Sequence, residues 1–381
     1  MAQAVRGIIK NLRMKNLSIG DLKIRIPIIQ GGMGVGISLS GLASAVANEG
    51  GVGVISCAGL GLLYNNLWTN FSEACILGLK EELKTAREKI KETQQKAKGI
   101  IGVNIMVAMS NFADMVKTSI SEKVDIIFSG AGLPLNLPEF LEKGSKTKLV
   151  PIVSSARALG IICERWHGLY NYLPDAVVVE GPKAGGHLGY KENQIFDEHY
   201  SLEEILPQVV SETAIYEEKY HKKIPVIAAG GIYTGSDICK MMELGASGVQ
   251  LGTRFVTTDE CDASMEFKQQ YLNAKEEDIE IIKSPVGMPG RAISGFFLSQ
   301  VKEGIKQPKY CPFHCIKTCD ISKSPYCIML ALYNAFKGNF QNGFAFAGAN
   351  AYRSSRIMSV KNTISELMTE WKEKELSLKK K

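Results

Sequence analysis

The sequence predicts a closed (β/α)8 barrel, and three observations lead there. Eight short Val/Ile-rich runs lie in the first 255 residues, at 26–32, 51–56, 99–107, 124–132, 148–155, 175–181, 224–231 and 248–253. Most are continuous rather than alternating with polar residues, the pattern of parallel strands covered on both faces. The last two runs end in Gly230-Gly231 and Gly252-Thr253. Loops after strands seven and eight are the usual phosphate site of such a barrel. An open doubly wound sheet is the competing arrangement.

Between the runs lie helical stretches, such as SLSGLASAVANEG and EELKTAREKIKETQQKAKG. Strand–helix alternation repeated eight times favours closure. No linker divides residues 17–256, so this span is expected to be one barrel. From Thr257 the pattern changes. Residues 260–282 read as one or two polar helices, and 284–293 (SPVGMPGRAI) as a Gly/Pro-rich turn segment. A cysteine-bearing stretch follows at 309–328, then a last helix from Ser359 to about Leu378. Residues 257–381 therefore form a C-terminal, helical, cysteine-bearing extension that is expected to cover the barrel mouth.

Bulk composition narrows the function classes. The 381 residues are 45% hydrophobic and 22% charged, values of a soluble globular protein. The formal charge of +6 is concentrated partly at the ends, in Arg6, Lys10, Arg13 and Lys15 and in Lys379–Lys381. These read as solvated termini; no basic stripe interleaved with aromatics marks a nucleic-acid surface. No apolar run is long enough to span a membrane, and the N-terminus lacks a signal-peptide core. A reducing cytosol is the expected setting, with Cys57, Cys75, Cys163, Cys239 and Cys261 as small buried hydrophobes. Barrels of this size often pair, so a homodimer is expected.

The motif VVVEGPKAGGHLGY (177–190) is the sharpest local signal. A strand ends at Glu180, and a glycine-rich loop presents His187 just beyond it, on the active-site face of a barrel. Imidazole there can exchange a proton near neutral pH. The first strand ends in QGGMG, where Gly32 admits a flat ring or phosphate and the Met33 sulfur can pack on a ring face. Asn104, Glu180 and Gln250 are polar residues in or ending apolar strands, a costly placement unless each is hydrogen-bonded. Together they suggest a planar ligand with several donors and acceptors. A flavin fits, its phosphate lying on Gly230, Gly231, Gly252 and Thr253.

These motifs resemble the nitronate monooxygenase family (2-nitropropane dioxygenases) and its relative, the flavin-dependent enoyl-ACP reductases. The matching pieces are IPIIQGGMG, GVNIM, GAGLP, EGPKAGGHLG, IPVIAAGGI, GASGVQLGTRF and GMPGRAI, in family order. The resemblance implies a TIM barrel holding FMN without a covalent link. It implies FMN contacts at Asn104, Glu180, Gly185, Gly230, Gly231, Gln250, Leu251, Gly252 and Thr253, and a catalytic role for His187; Gly32 and Met33 join them from the QGGMG motif itself. It implies oxidation of an alkyl nitronate to a carbonyl compound and nitrite, or NAD(P)H-dependent reduction of an enoyl thioester. A non-redox phosphate-binding barrel is the reading from a different class. The chain departs from many nitronate monooxygenases at Glu180, where they carry glutamine, and at Lys183, where they carry glutamate. Its QGGM start and its SGAGLP segment sit closer to the reductase branch.

A second departure is YCPFHCIKTCDISKSPYCI, which spaces Cys311, Cys315, Cys319 and Cys327 as C-x3-C-x3-C-x7-C. Four cysteines this dense can ligate zinc or an iron–sulfur cluster, although the spacing matches no common pattern for either. Buried thiols and a disulfide or redox switch are the alternatives.

Overall fold

The computed structural model describes residues 17–64, 70–92 and 99–379. The basic residues expected to be solvated near the N-terminus, the last two lysines, and 93–98 of the EELK helix lie outside the described residues. Eight parallel strands close into a barrel. They are β1 (Ile28–Gln30), β2 (Val52–Ser56), β3 (Ile100–Met106), β4 (Ile126–Gly130), β5 (Lys148–Val153), β6 (Val177–Glu180), β7 (Val226–Ala229) and β8 (Gly248–Leu251). Each falls inside one of the eight apolar runs. The pairing of β8 with β1, Val249 opposite Ile28 and Leu251 opposite Gln30, completes the circle and excludes the open sheet.

Burial on both faces explains why the runs do not alternate. Val178, Ile227, Ile29, Val54 and Phe128 fill the barrel interior. Their neighbours Val177, Val179, Ala228 and Ile28 belong to the core between strands and helices. Both sets are buried. The hairpin Leu17–Ile19/Leu22–Ile24 adds Leu17, Ile19 and Ile24 to the interior cluster.

Helices α1 (Ser40–Asn48), α2 (Phe71–Glu92), α3 (Phe112–Ser121), α4 (Ala156–Tyr170), α5 (Leu202–Tyr220) and α6 (Gly235–Glu243) connect successive strands. The repeat is broken once: between β4 and β5 the connection carries only the 3-10 turn Leu137–Phe140. Asn136 precedes it and Pro138 sits in its first turn.

The chain after Thr257 differs from the sequence expectation in one respect. Residues 260–282 hold a single α-helix, Met265–Asn273, followed by a strand, Ile279–Lys283. That strand pairs antiparallel with Pro289–Ile293, inside the segment expected to be turns, and Pro289–Ile293 in turn pairs with Gly186–His187. The hairpin partner Ile279–Lys283, extended by two pairs to Gly186–His187 about a hundred residues away, supplies the ladder that local Gly and Pro content argues against. The final helix, Val360–Lys379, matches the expectation and buries Leu367 and Trp371. Its Glu370 carboxylate accepts the N–H of Gly235 at the start of α6 at 2.7 Å. No helix among the described residues is long and apolar enough to cross a membrane.

The close approach of α1 to β2 at Gly53 yields a stability test. A Cβ on Gly53 of β2 would stand 1.8 Å from the Ala43 carbonyl oxygen of α1. Gly53→Ala is expected to destabilise the protein by about 2–3 kcal/mol, because backbone must move to admit the methyl. Gly168 in α4 faces open space, and Gly168→Ala is expected to stabilise by about 0.5–1 kcal/mol through helix propensity. Urea unfolding of the two variants checks both signs.

Candidate active site

The C-terminal ends of the strands enclose a cavity of about 270 Å3. Parallel register sets its polar rim. Ala229 of β7 stands level with Glu180 of β6 on one side and Gln250 of β8 on the other. Asn104 of β3 stands level with Ser56 of β2 and Phe128 of β4. Gly32, Met33, Asn104, Glu180, Gly185, His187, Gly230, Gly231, Gln250, Leu251, Gly252 and Thr253, all singled out from sequence, line this one cavity.

The side chains of Asn104, Glu180 and Gln250 have no hydrogen-bond partner among the described residues, although each lines the cavity. The Glu180 backbone carbonyl, by contrast, accepts the Tyr190 hydroxyl at 2.7 Å. These three side chains are half-buried and open to the same space, where a bound ligand could meet their donors and acceptors. Gln30, by comparison, is a satisfied core residue: its Oε1 accepts the Val54 N–H at 3.0 Å and its amide donates to the Gly31 carbonyl.

The turns after β7 and β8 are shaped for an anion. Gly230 and Gly231 hold φ of 92° and 86°, the left-handed region that a side chain disfavours. Among the described residues no hydrogen bond takes up the N–H of Gly231 or Gly252. The Asn350 amide donates to the Gly231 carbonyl at 2.6 Å, so the turn is fixed from the C-terminal side.

His187 sits on a two-residue strand held by Gly290 and Arg291. Its Nε2 lies 2.8 Å from the Ser284 hydroxyl, and its ring meets Phe346 edge-on with centroids 5.0 Å apart. Burial pushes the imidazole down to about 4, so it is neutral at pH 7. Burial also pushes the Glu180 carboxyl up to about 7. Arg291 is buried, and its guanidinium donates to the carbonyls of Pro182 and, at 2.9 Å, Ala184. One cation thus clamps the loop that carries His187.

Sequence reasoning missed Ser284, Arg291, Tyr271, Leu332 and Phe346. Arg291 lay in the GMPGRAI piece of the resemblance, a signal that marked its segment but not its function. The others had none, since their place depends on pairing across the chain.

The cysteines divide into two groups. Cys57, Cys75, Cys163, Cys239 and Cys261 are buried free thiols, as expected, and Cys311, Cys315, Cys319 and Cys327 are half-buried free thiols. Among the described residues no group of three or more His, Cys, Asp or Glu side chains is arranged to hold a metal ion. Cys315 nevertheless lies near enough to Cys311, Cys319 and Cys327 to feel their charge, so the four thiols named from sequence share one neighbourhood. The Cys311 sulfur takes the His314 N–H at 3.4 Å, and the Cys319 sulfur lies 3.3 Å from the Ser324 hydroxyl. Cys315 and Cys327 pack near Phe313 and Met329.

Opposite shifts at Glu180 and His187 give a pH test. The folded state binds more protons than the unfolded at Glu180 between its usual 4.5 and about 7, so stability is lost as pH rises through that window. At His187 the unfolded state binds more protons between about 4 and its usual 6.5, so stability is lost as pH falls. The two trends oppose each other where the windows overlap. Glu180→Gln removes the first alone. The ligand-free variant is expected to gain about 2 kcal/mol over wild type between pH 5 and pH 8. Urea titrations at the two pH values measure this, and a constant difference would contradict the buried-carboxyl assignment.

The comparisons with known proteins agree with this geometry. A protein of Staphylococcus saprophyticus named "Probable nitronate monooxygenase" is 27% identical over 307 residues, covering 77% of this chain and 82% of its own. The (3aS,4S,5R,7aS)-5-hydroxy-7a-methyl-1-oxo-octahydro-1H-indene-4-carboxyl-CoA dehydrogenase of Mycobacterium tuberculosis is 27% identical over 282 residues, covering 74% and 66%. The structure of FabK from Thermotoga maritima superposes with a TM-score of 0.69 at 26% identity, covering 93% of this chain and 96% of that one. The family model for nitronate monooxygenase matches residues 15–370, including the cysteine-bearing stretch, and the chain belongs to the nitronate monooxygenase family of oxidoreductases.

Proposed function

We propose that the protein is an FMN-dependent nitronate monooxygenase. The observation that carries this reading is the ring of unpaired polar side chains, Asn104, Glu180 and Gln250, around one cavity. The residues fit FMN. Three amide or carboxyl groups offer donors and acceptors to a flat heteroaromatic ring, with Met33 beside them. The free N–H groups of Gly231 and Gly252 suit its phosphate. Bound FMN supplies the redox chemistry, accepting electrons from the nitronate and delivering them to oxygen.

The chain's own residues then have distinct tasks. Met106, Ile152, Leu332 and Phe346 give the cavity apolar walls that exclude water. His187 is the residue placed to touch substrate. Held near 4, it is a weak base for removing a proton from carbon. A nitronate arrives already deprotonated and needs only a neutral hydrogen-bond donor to hold its nitro oxygens. Ser284 at 2.8 Å fixes the ring that does this. The neutral imidazole therefore favours nitronates over neutral nitroalkanes as substrates.

A second reading is reduction of an enoyl thioester with NAD(P)H. It draws support from the mycobacterial relative whose name carries a CoA thioester substrate.

Anaerobic stopped-flow mixing separates the two. Bleaching of the flavin by an alkyl nitronate, with no bleaching by NADH or NADPH, is the expected result. Rapid bleaching by a nicotinamide and reoxidation by crotonyl thioester would establish the second reading instead. His187→Ala is expected to keep its flavin and lose roughly 100-fold or more in turnover. Full turnover in that variant would remove His187 from the mechanism.

A further inference from the structure

The function above leaves one charged residue of the cavity without a task. Lys183 lies on the loop after β6, is exposed at its outer side and lines the cavity. Its stem stands over the turn after β7: the Cβ, Cδ and Cγ atoms lie 2.8, 3.2 and 3.6 Å from where a Cβ on Gly231 would be. Its ammonium makes no hydrogen bond or ion pair among the described residues. Glu203, a carboxylate near enough to feel its charge, is already paired with Lys240 at 2.8 Å.

The backbone around Lys183 is fixed. Arg291 holds the carbonyls of Pro182 and Ala184, the residues on either side. The Lys183 carbonyl accepts the Ala349 N–H at 3.0 Å. Ala349 follows Gly348, where an added Cβ would stand 2.8 Å from the Thr253 hydroxyl. Lys183 is thus tied on one side to the Gly230–Gly231 turn and on the other to the Gly252–Thr253 turn. Among the described residues it is the one ammonium or guanidinium group in the cavity wall.

We propose that Lys183 is a phosphate-binding residue, its ammonium pairing with the phosphate of the mononucleotide seated on these two glycine turns. This rests on the flavin reading above. Backbone N–H groups give a phosphate directional bonds, and a free ammonium at the edge adds a point charge. An exposed pair of this kind is modest and salt-sensitive.

Lys183→Met tests it, because methionine keeps an apolar stem over Gly231 and removes only the charge. Binding of FMN and of riboflavin to full-length protein stripped of flavin is followed by fluorescence quenching. At low salt the variant is expected to bind FMN about three- to tenfold more weakly than wild type, with riboflavin unchanged. The FMN difference should shrink in 1 M salt. Unchanged FMN affinity would overturn the proposal. Equal weakening of FMN and riboflavin would also overturn it, by assigning Lys183 a packing role. Wild-type protein that binds neither compound would refute the flavin reading itself, and this proposal with it.

Discussion

Parallel register between neighbouring strands is the constraint on which the site depends. Because β6, β7 and β8 run side by side without slippage, Glu180, Ala229 and Gln250 come to one level at the barrel mouth. A shift of one residue in any pair would turn a polar side chain into the packed layer behind the strands. Both faces are apolar, Val177 and Val179 in the outer core and Val178 in the inner, so it is the polar residues at the strand ends that a slip would misplace.

The segment after the barrel then acts on this rim. The hairpin formed by Ile279–Lys283 and Pro289–Ile293 reaches back to Gly186–His187 and carries both Ser284 and Arg291. One orients the imidazole; the other draws together the carbonyls of the loop. A buried guanidinium is costly to place, and two accepting carbonyls offset that cost. The same burial that keeps His187 neutral also raises the Glu180 carboxyl to about 7, so that it is partly protonated near neutral pH. The cavity is thus lined by polar groups beside apolar walls, with the Lys183 ammonium at its edge.

Much of this was legible in the sequence. The strands could be read because continuous Val and Ile runs ending in Gly have few other uses in a chain of this composition. Asn104, Glu180 and Gln250 could be read because a polar residue in an apolar strand demands a reason, and the structure shows all three facing one space. The strand Pro289–Ile293 could not, since its own Gly/Pro composition argues for a turn, although its main partner Ile279–Lys283 lies close in sequence. Ser284 and Phe346 carry no signal at all until the hairpin brings them to His187. The cysteine spacing suggested four thiols in one place, and Cys315 does lie within reach of the charges of Cys311, Cys319 and Cys327, while Cys311 and Cys319 also meet the His314 N–H and the Ser324 hydroxyl.

The central claim is that the polar rim and glycine turns form a mononucleotide site. Its most direct test is to reconstitute the purified protein with excess FMN, remove free flavin, and identify and quantify what heat releases. The account predicts one FMN for each chain. Protein that stays colourless after reconstitution would contradict it.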